Sequence, residues 1–182
     1  MLYGVAHILF YTIFVSLKQT KTHKPMKKEL RKTFEKFISL PEMKIKFTDK
    51  ATERIEIKNA NEAASLFYSI ENMEDNIEHH EMFYAAYMNQ SGKVMGVMKI
   101  AEGGIDSTAV DTRIIMQGGL LLNASSIILC HNHPSRNTRP SADDLDITKR
   151  LKSAAEILKM RVLDHIIISK DNYTSMAEEG VF

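Results

Sequence analysis

Only one cysteine, Cys130, stands in the 182-residue chain, so no disulfide framework can form within it. A lone thiol suits a reducing compartment, and the cytoplasm is the expected location. Net charge is scarce too, since 24 Lys and Arg nearly balance 23 Asp and Glu. The balance is uneven along the chain: Lys18 to Lys36 holds eight basic residues against two glutamates, leaving 16 basic and 21 acidic residues elsewhere. A mildly acidic remainder is poorly suited to gripping a phosphate backbone, so any nucleic-acid binding would rest on that N-terminal segment. Internal repeats and low-complexity tracts are absent. A composition of 44% hydrophobic and 26% charged residues excludes a disordered chain. The length supplies one domain with a sizeable core rather than two.

Long hydrophobic runs are nearly absent as well. The exception is Met1 to Leu17, uncharged and followed by lysines, at the lower limit of what crosses a hydrocarbon core about 30 Å thick. It has neither the basic start nor the small-residue cleavage site of a secretory signal. Inserted in a membrane, it would leave the following domain on the cytoplasmic side, because lysines come next. The competing and preferred reading takes Met26, which opens MKKELRKTFEKF, as the true start, making residues 1–25 a start-site artefact. Membrane association is expected only through residues 1–17.

From Pro25 onward, Leu30, Phe34 and Phe37 predict one face of a helix ended by Pro41. Met43, Ile45 and Phe47, then Ile55 and Ile57, alternate with charges and predict two short half-buried strands or extended segments. Asn59 with Glu62 predicts a capped helix with Ala63, Leu66, Phe67 and Ile70 on one face. Residues 26–77 are thus expected as a helix-strand-helix portion of the domain. Met82 to Asn89, the turn NQSG, and Lys93 to Ile100 predict a hairpin broken by Gly103 and Gly104. Asp111 to Asn123 predicts a buried helix, Ser126 to His131 a core strand, and Pro134 to Pro140 an exposed loop. Ser141 is expected to cap a helix reaching Lys159, with Ile147, Leu151, Ala154 and Leu158 on one face. RVLDHIIIS reads as an apolar strand, KDN as a turn and YTSM as its return. Interleaved strands and helices predict an α/β domain with a mixed β-sheet flanked by helices, in two or three layers. Ligands of such sheets bind beyond the carboxyl ends of the strands.

At such an end lies HNHPSRNTRPSADD, His131 to Asp144. Period-two alternation through Asn132 sets His131 and His133 on one side, where their ring nitrogens can converge on one ion. Asp144 falls in the first turn of the helix after Ser141, from which a carboxylate can point back at the loop. Each residue has a plainer explanation: Ser141 as an N-cap, Asp144 as a capping-box acid, the histidines as satisfied polar groups. The order His-x-His-x7-Ser-x2-Asp favours a metal site. Three N/O ligands leave a fourth zinc position for water, whose pKa falls to about 7 there. Cys130 points to the opposite strand face and is expected as a small buried residue rather than a ligand. His79 and His80 are expected in solvent.

The spacing His-x-His-x7-Ser-x2-Asp resembles the JAMM metal motif of the JAB/MPN metallopeptidases. HNHPS, PSADD, LDHIIIS and YTSM resemble stretches of the RadC-like branch in the same order, over about Glu78 to Phe182. The resemblance implies a cytidine-deaminase-like JAB/MPN fold for residues 78–182. It also implies a catalytic Zn2+ held by His131, His133 and Asp144, and hydrolysis of a peptide or isopeptide bond in a protein substrate. The motif includes an upstream glutamate, two residues before a phenylalanine in RadC-like chains; here that is Glu81, with Glu78 the second choice. Carried over, Glu81 acts as general base and then acid, and Ser141 donates a hydrogen bond to the tetrahedral oxyanion.

Two departures from the family pattern stand out. RadC-like chains commonly read HNHPSG, whereas Arg136 occupies the glycine position here and is expected to put a large cation at the mouth of the site. The helix-hairpin-helix module of longer members has no counterpart before Glu81. Asp164 and His165 are expected either to orient the metal ligands or to form a buried structural pair, and are not counted as catalytic. The rival reading is a non-catalytic, DNA-associated or scaffold domain that keeps zinc for structure; the DNA-repair label of the RadC branch is disputed. Such a domain needs neither the glutamate nor an open metal position. A nucleobase deaminase on a related fold needs a Pro-Cys-x-x-Cys pair, absent from this chain.

Overall fold

Every residue of strands β1 (Met82–Met88) and β3 (Ser126–Asn132) is buried. Near-continuous apolar runs such as MFYAAYM and SIILC belong to strands covered on both faces, and the computed structural model, which describes residues 53–71, 73–103 and 110–181, bears this out. These strands sit inside a five-stranded sheet with β2 (Val94–Glu102), β4 (Arg161–Ile168) and β5 (Tyr173–Ser175), in the order β2-β1-β3-β4-β5. The β3–β4 pair is parallel and the other pairs are antiparallel. The fold is therefore the expected α/β arrangement, a mixed sheet flanked by helices.

Helix α1 (Ala60–Tyr68) covers one face, its Ala60, Ala63, Ala64 and Phe67 meeting Met82, Tyr84, Ile128 and Ile166. It starts as expected, with Asn59 Oδ1 accepting from Glu62 N at 2.9 Å. A single turn, α2 (Met73–Asn76), adds Met73 to the same core. Helices α3 (Thr112–Leu121) and α4 (Ala142–Ile157) cover the other face, bringing Ile115, Ile147, Leu151 and Ala155 onto Phe83, Tyr87 and Leu129. A parallel pair such as β3–β4 needs a crossover, and α4 provides it. The N-terminus of α4 consequently follows the carboxyl end of β3 through one short loop.

Two expectations need correction, and a third is narrowed. Around Ile55 and Ile57 only one bridge forms, Glu56 to Lys93, and Ile55 is 60% exposed. Ile57 N donates to Gly92 O at 3.0 Å and Ile55 O accepts from Val94 N at 2.8 Å, so the segment is a short extended stretch beside the start of β2 rather than a full strand. Helix α3 is half-buried rather than buried, with Leu120 54% exposed, because only Ile115, Met116, Gly118 and Gly119 meet the sheet. On α4 the buried stripe runs Ile147, Leu151, Ala155, while Leu158 is the exposed C-cap. Rows spaced by four drift around a helix, so the stripe slants away from Ala154 and Leu158. The helix expected around Leu30 to Phe37, the strand around Met43 to Phe47, and Met1 to Leu17 lie outside the described residues. Among the described residues, no helix is long and apolar enough to cross a membrane.

Candidate metal centre

His131 is the penultimate residue of β3, and His133 follows the strand directly. The backbone keeps its pairing one residue past the strand, with His133 N donating to Ile168 O at 2.9 Å. Alternation therefore holds through Asn132, and the two imidazoles come together with Nε2 atoms 2.9 Å apart. Asn132 points the other way. Its Nδ2 donates to Ile77 O and His80 O, both at 2.8 Å, and its Oδ1 accepts from Met82 N at 2.7 Å. These three bonds tie the segment containing Glu81 to the strand end that holds the histidines.

Asp144 arrives from α4. Ser141 caps that helix by accepting from Asp144 N at 3.1 Å, and Asp144 Oδ2 accepts from Ser141 N and Ser141 Oγ, each at 2.7 Å. The capping box leaves Asp144 Oδ1 facing His131 Nε2 at 3.0 Å, with His133 Nε2 3.6 Å from Oδ2. The carboxylate that closes the capping box is thus also the one that lies against both imidazoles. The ligand atoms of His131, His133 and Asp144 all lie within 4.8 Å of one another. This triad is compatible with a JAMM-like metal site.

Burial alone would raise the Asp144 carboxyl, but the imidazoles of His131 and His133 beside it override that and hold the group far below the usual carboxylate range. Burial pushes His133 down, and Asp144 with the Asn137 carbonyl outweighs that to leave it raised. Nδ1 of His133 donates to Asn137 O at 2.6 Å, so in the neutral ring Nε2 keeps its lone pair. Burial lifts the Cys130 thiol well above its ordinary value, and its side chain lies in the core under α1, on the face away from the histidines.

The triad opens on a cleft of about 520 Å³ whose walls include Glu81, Phe83, Asn137, Arg139, Ser141 and Ile147. Glu81 stands immediately before β1, where its carbonyl accepts from Gly103 N at 3.1 Å. Glu78 is engaged elsewhere: Lys170 Nζ lies 3.0 Å from its Oε2, and Arg136 Nε donates to its Oε1 at 2.6 Å. Those two cations lower its pKa.

Arg136 therefore does not sit at the mouth of the site as expected. Its guanidinium is held by Glu78 and by Asp171, 3.3 Å away, and the cations on the cleft wall are Arg139 and Arg150. Arg136 adopts φ of 63°, a left-handed conformation that favours glycine.

The side chains of Asp164 and His165 do not pair, because neighbours in β4 point to opposite faces, and from His165 the Asp164 Oδ1 accepts only the backbone N–H, at 2.7 Å. Asp164 accepts from Ser175 Oγ at 2.5 Å and Ala177 N at 3.0 Å, pinning the turn after β5. His165 turns to the metal side, with Nε2 2.8 Å from His131 Nδ1 and Nδ1 2.6 Å from Thr148 Oγ1. Burial keeps its pKa well below the ordinary imidazole value, with His131 adding to the effect. Phe83 stacks along His131 at 5.8 Å between centroids and meets His165 edge-on at 5.4 Å. Sequence reasoning missed Thr148 and Asn132. Thr148 was detectable as a polar residue one helical turn past Asp144 on the buried face, and Asn132 as a polar residue inside a core strand.

This chain belongs to the RadC-like JAB domain family, whose model matches residues 57–181. The match begins ahead of Glu78 and takes in α1. A UPF0758 protein of Flavobacterium johnsoniae is 45% identical over 103 residues, covering 57% of this chain and 45% of the relative. UPF0758 proteins of Porphyromonas gingivalis and Pseudomonas fluorescens are each 42% identical, over 56% and 57% of this chain and 45% and 46% of their own lengths. The chain spans about half the length of the curated relatives it matches.

Proposed function

We propose that this protein is a zinc-dependent hydrolase of peptide or isopeptide bonds. The observation that carries the reading is the convergence of His131, His133 and Asp144 on the wall of a cleft that also presents Glu81 and Ser141. Two imidazoles and one carboxylate form a donor set suited to zinc, and these three residues would hold it. Zinc, when bound with a position left open, brings the pKa of water to about 7 and so supplies a nucleophile at neutral pH.

The chain's own groups carry the remaining chemistry. Glu81 takes a proton from the attacking water and delivers it to the leaving nitrogen. Ser141 turns its hydroxyl from Asp144 toward the oxyanion that develops on the scissile carbonyl. Asn132 holds the backbone on both sides of Glu81, through His80 O and Met82 N, so the carboxylate enters the cleft from a fixed base. A single buried thiol supports a cytoplasmic setting.

The test is a screen of peptide and isopeptide libraries with the full chain at matched zinc content. Glu81→Gln should lower turnover by about 100- to 10000-fold, and Glu78→Gln should leave it intact. Cleavage that survives Glu81→Gln undiminished overturns the assignment of Glu81. No cleavage, together with tight nucleic-acid binding at physiological salt, transfers the reading to a zinc-stabilised scaffold.

A further inference from the structure

Thr148 and His165 lie on different elements, are 2% and 0% exposed, and meet directly behind the candidate ligands. Oγ1 of Thr148 is 2.6 Å from Asp144 O and also 2.6 Å from His165 Nδ1. A carbonyl oxygen only accepts, and a hydroxyl has a single hydrogen. Two oxygens approach to 2.6 Å favourably only with that hydrogen between them. Thr148 thus donates to Asp144 O and must accept from His165, which puts hydrogen on His165 Nδ1.

A fully buried imidazole with no carboxylate on either nitrogen is neutral. With hydrogen on Nδ1, His165 has a bare Nε2, and its partner there among the described residues is His131 Nδ1 at 2.8 Å. His131 Nδ1 is then the donor, and its Nε2 is the atom left bare. That is the atom 3.0 Å from Asp144 Oδ1 and 2.9 Å from His133 Nε2, contacts between lone pairs that a cation or a proton shared among the three groups makes favourable. Running the chain in the opposite direction would leave the Thr148 and Asp144 oxygens in contact without a hydrogen and would place hydrogen on the ligand nitrogen.

We infer that Thr148 and His165 are positioning residues, a hydrogen-bond relay from the backbone of Asp144 that fixes the His131 tautomer and leaves its Nε2 free to bind metal. The inference rests on the metal reading above. His133 needs no relay, because Asn137 O reaches its Nδ1 directly. His131 lies deeper and is reached through two side chains. The relay starts on the residue that supplies the ligand carboxylate, so α4 orients two ligands at once.

The experiment uses the full chain with 15N-labelled histidine, stripped of metal, and reads ring-nitrogen chemical shifts. Zinc affinity is measured in parallel by competition with a chromophoric chelator. Wild type should show His131 and His165 with hydrogen on Nδ1. Thr148→Val should lose that single-tautomer signature and bind zinc about 10- to 100-fold more weakly, the usual cost of removing an outer hydrogen-bond partner. Thr148→Ser, which keeps the hydroxyl, should restore both. Hydrogen on His131 Nε2 in wild type, or unchanged zinc affinity in a folded Thr148→Val, overturns the relay. Failure of wild type to bind zinc instead removes the metal reading, while the ring shifts still decide the tautomer. Should Thr148→Val not fold, the wild-type shifts and those of Thr148→Ser decide it.

Discussion

His131 Nε2 and His133 Nε2 lie 2.9 Å apart, and the Asp144 carboxylate closes the third side at 3.0 and 3.6 Å. Three donors that close are held together in water only when a cation or a proton is shared among them. The expected outcome is close to one zinc per chain in freshly purified protein, measured by elemental analysis. His131→Ala should empty the site and Glu81→Gln should not. Protein that holds no zinc even after its addition would remove the metal centre.

Ser141 caps α4, and the proposed reaction gives it a second role that one substitution can separate from the first. Replacing it with alanine removes the oxygen that accepts from Asp144 N and should cost about 0.5–2 kcal/mol of stability, whereas glycine at an N-cap costs only a few tenths. Ser141→Gly should therefore melt near wild type. Its turnover should still fall by about 100- to 1000-fold, as for loss of one oxyanion donor. Normal turnover in Ser141→Gly would leave the serine as a cap alone.

Gly118 faces the fully buried Tyr87, and a Cβ at this position would lie 2.6 Å from the Tyr87 Cζ and closer still to its Oη. The ring cannot retreat, because Tyr87 Oη donates to Ile115 O at 3.0 Å on the same helix. Gly118→Ala should cost about 1–3 kcal/mol through overpacking. Gly119→Ala should cost less, since the atom its Cβ meets is the Met160 sulfur at 2.9 Å, at the end of a flexible side chain. Urea midpoints for the two variants check the order.

Burial pushes the Tyr87 phenol up from 10.0 to about 12. The folded state keeps this proton at pH values where the unfolded chain has lost it. The group's contribution is complete below pH 10 and is lost as pH rises from about 10 through about 12, at up to about 1.4 kcal/mol per pH unit. Urea unfolding measured from pH 9 to 12 should fall more steeply for wild type than for Tyr87→Phe. Parallel curves would show that the phenol titrates normally.

The candidate ligand set was legible because its rules are local. His131 and His133 share a side through strand alternation, and Asp144 returns to the loop because a first-turn acid three residues after an N-cap must. The central strands were legible for a similar reason: an apolar run that does not alternate has to be covered on both faces. Other features depended on residues far away in the chain. Ile55 and Ile57 alternate like a strand, yet their pairing, to Gly92 O and Val94 N around one bridge, stays a short extended contact beside the start of β2.

The chain's order of residues by itself determined a mixed α/β domain, a His-x-His strand end, and a capped helix delivering Asp144, since each follows from the conformation of a few adjacent residues. Only the tertiary structure decided where Arg136 points, because Glu78, 58 positions away, holds its guanidinium. The same is true of the choice between His165 and Asp164, and of the ring nitrogen of His131 that meets another imidazole. His165 reaches His131 because β3 and β4 pair with Leu129 opposite His165, and Thr148 reaches His165 because α4 crosses that pair on one face. Hydrogen-bond direction depends on which acceptor lies within 3 Å, and here that distance is set by the packing of segments that the sequence keeps apart.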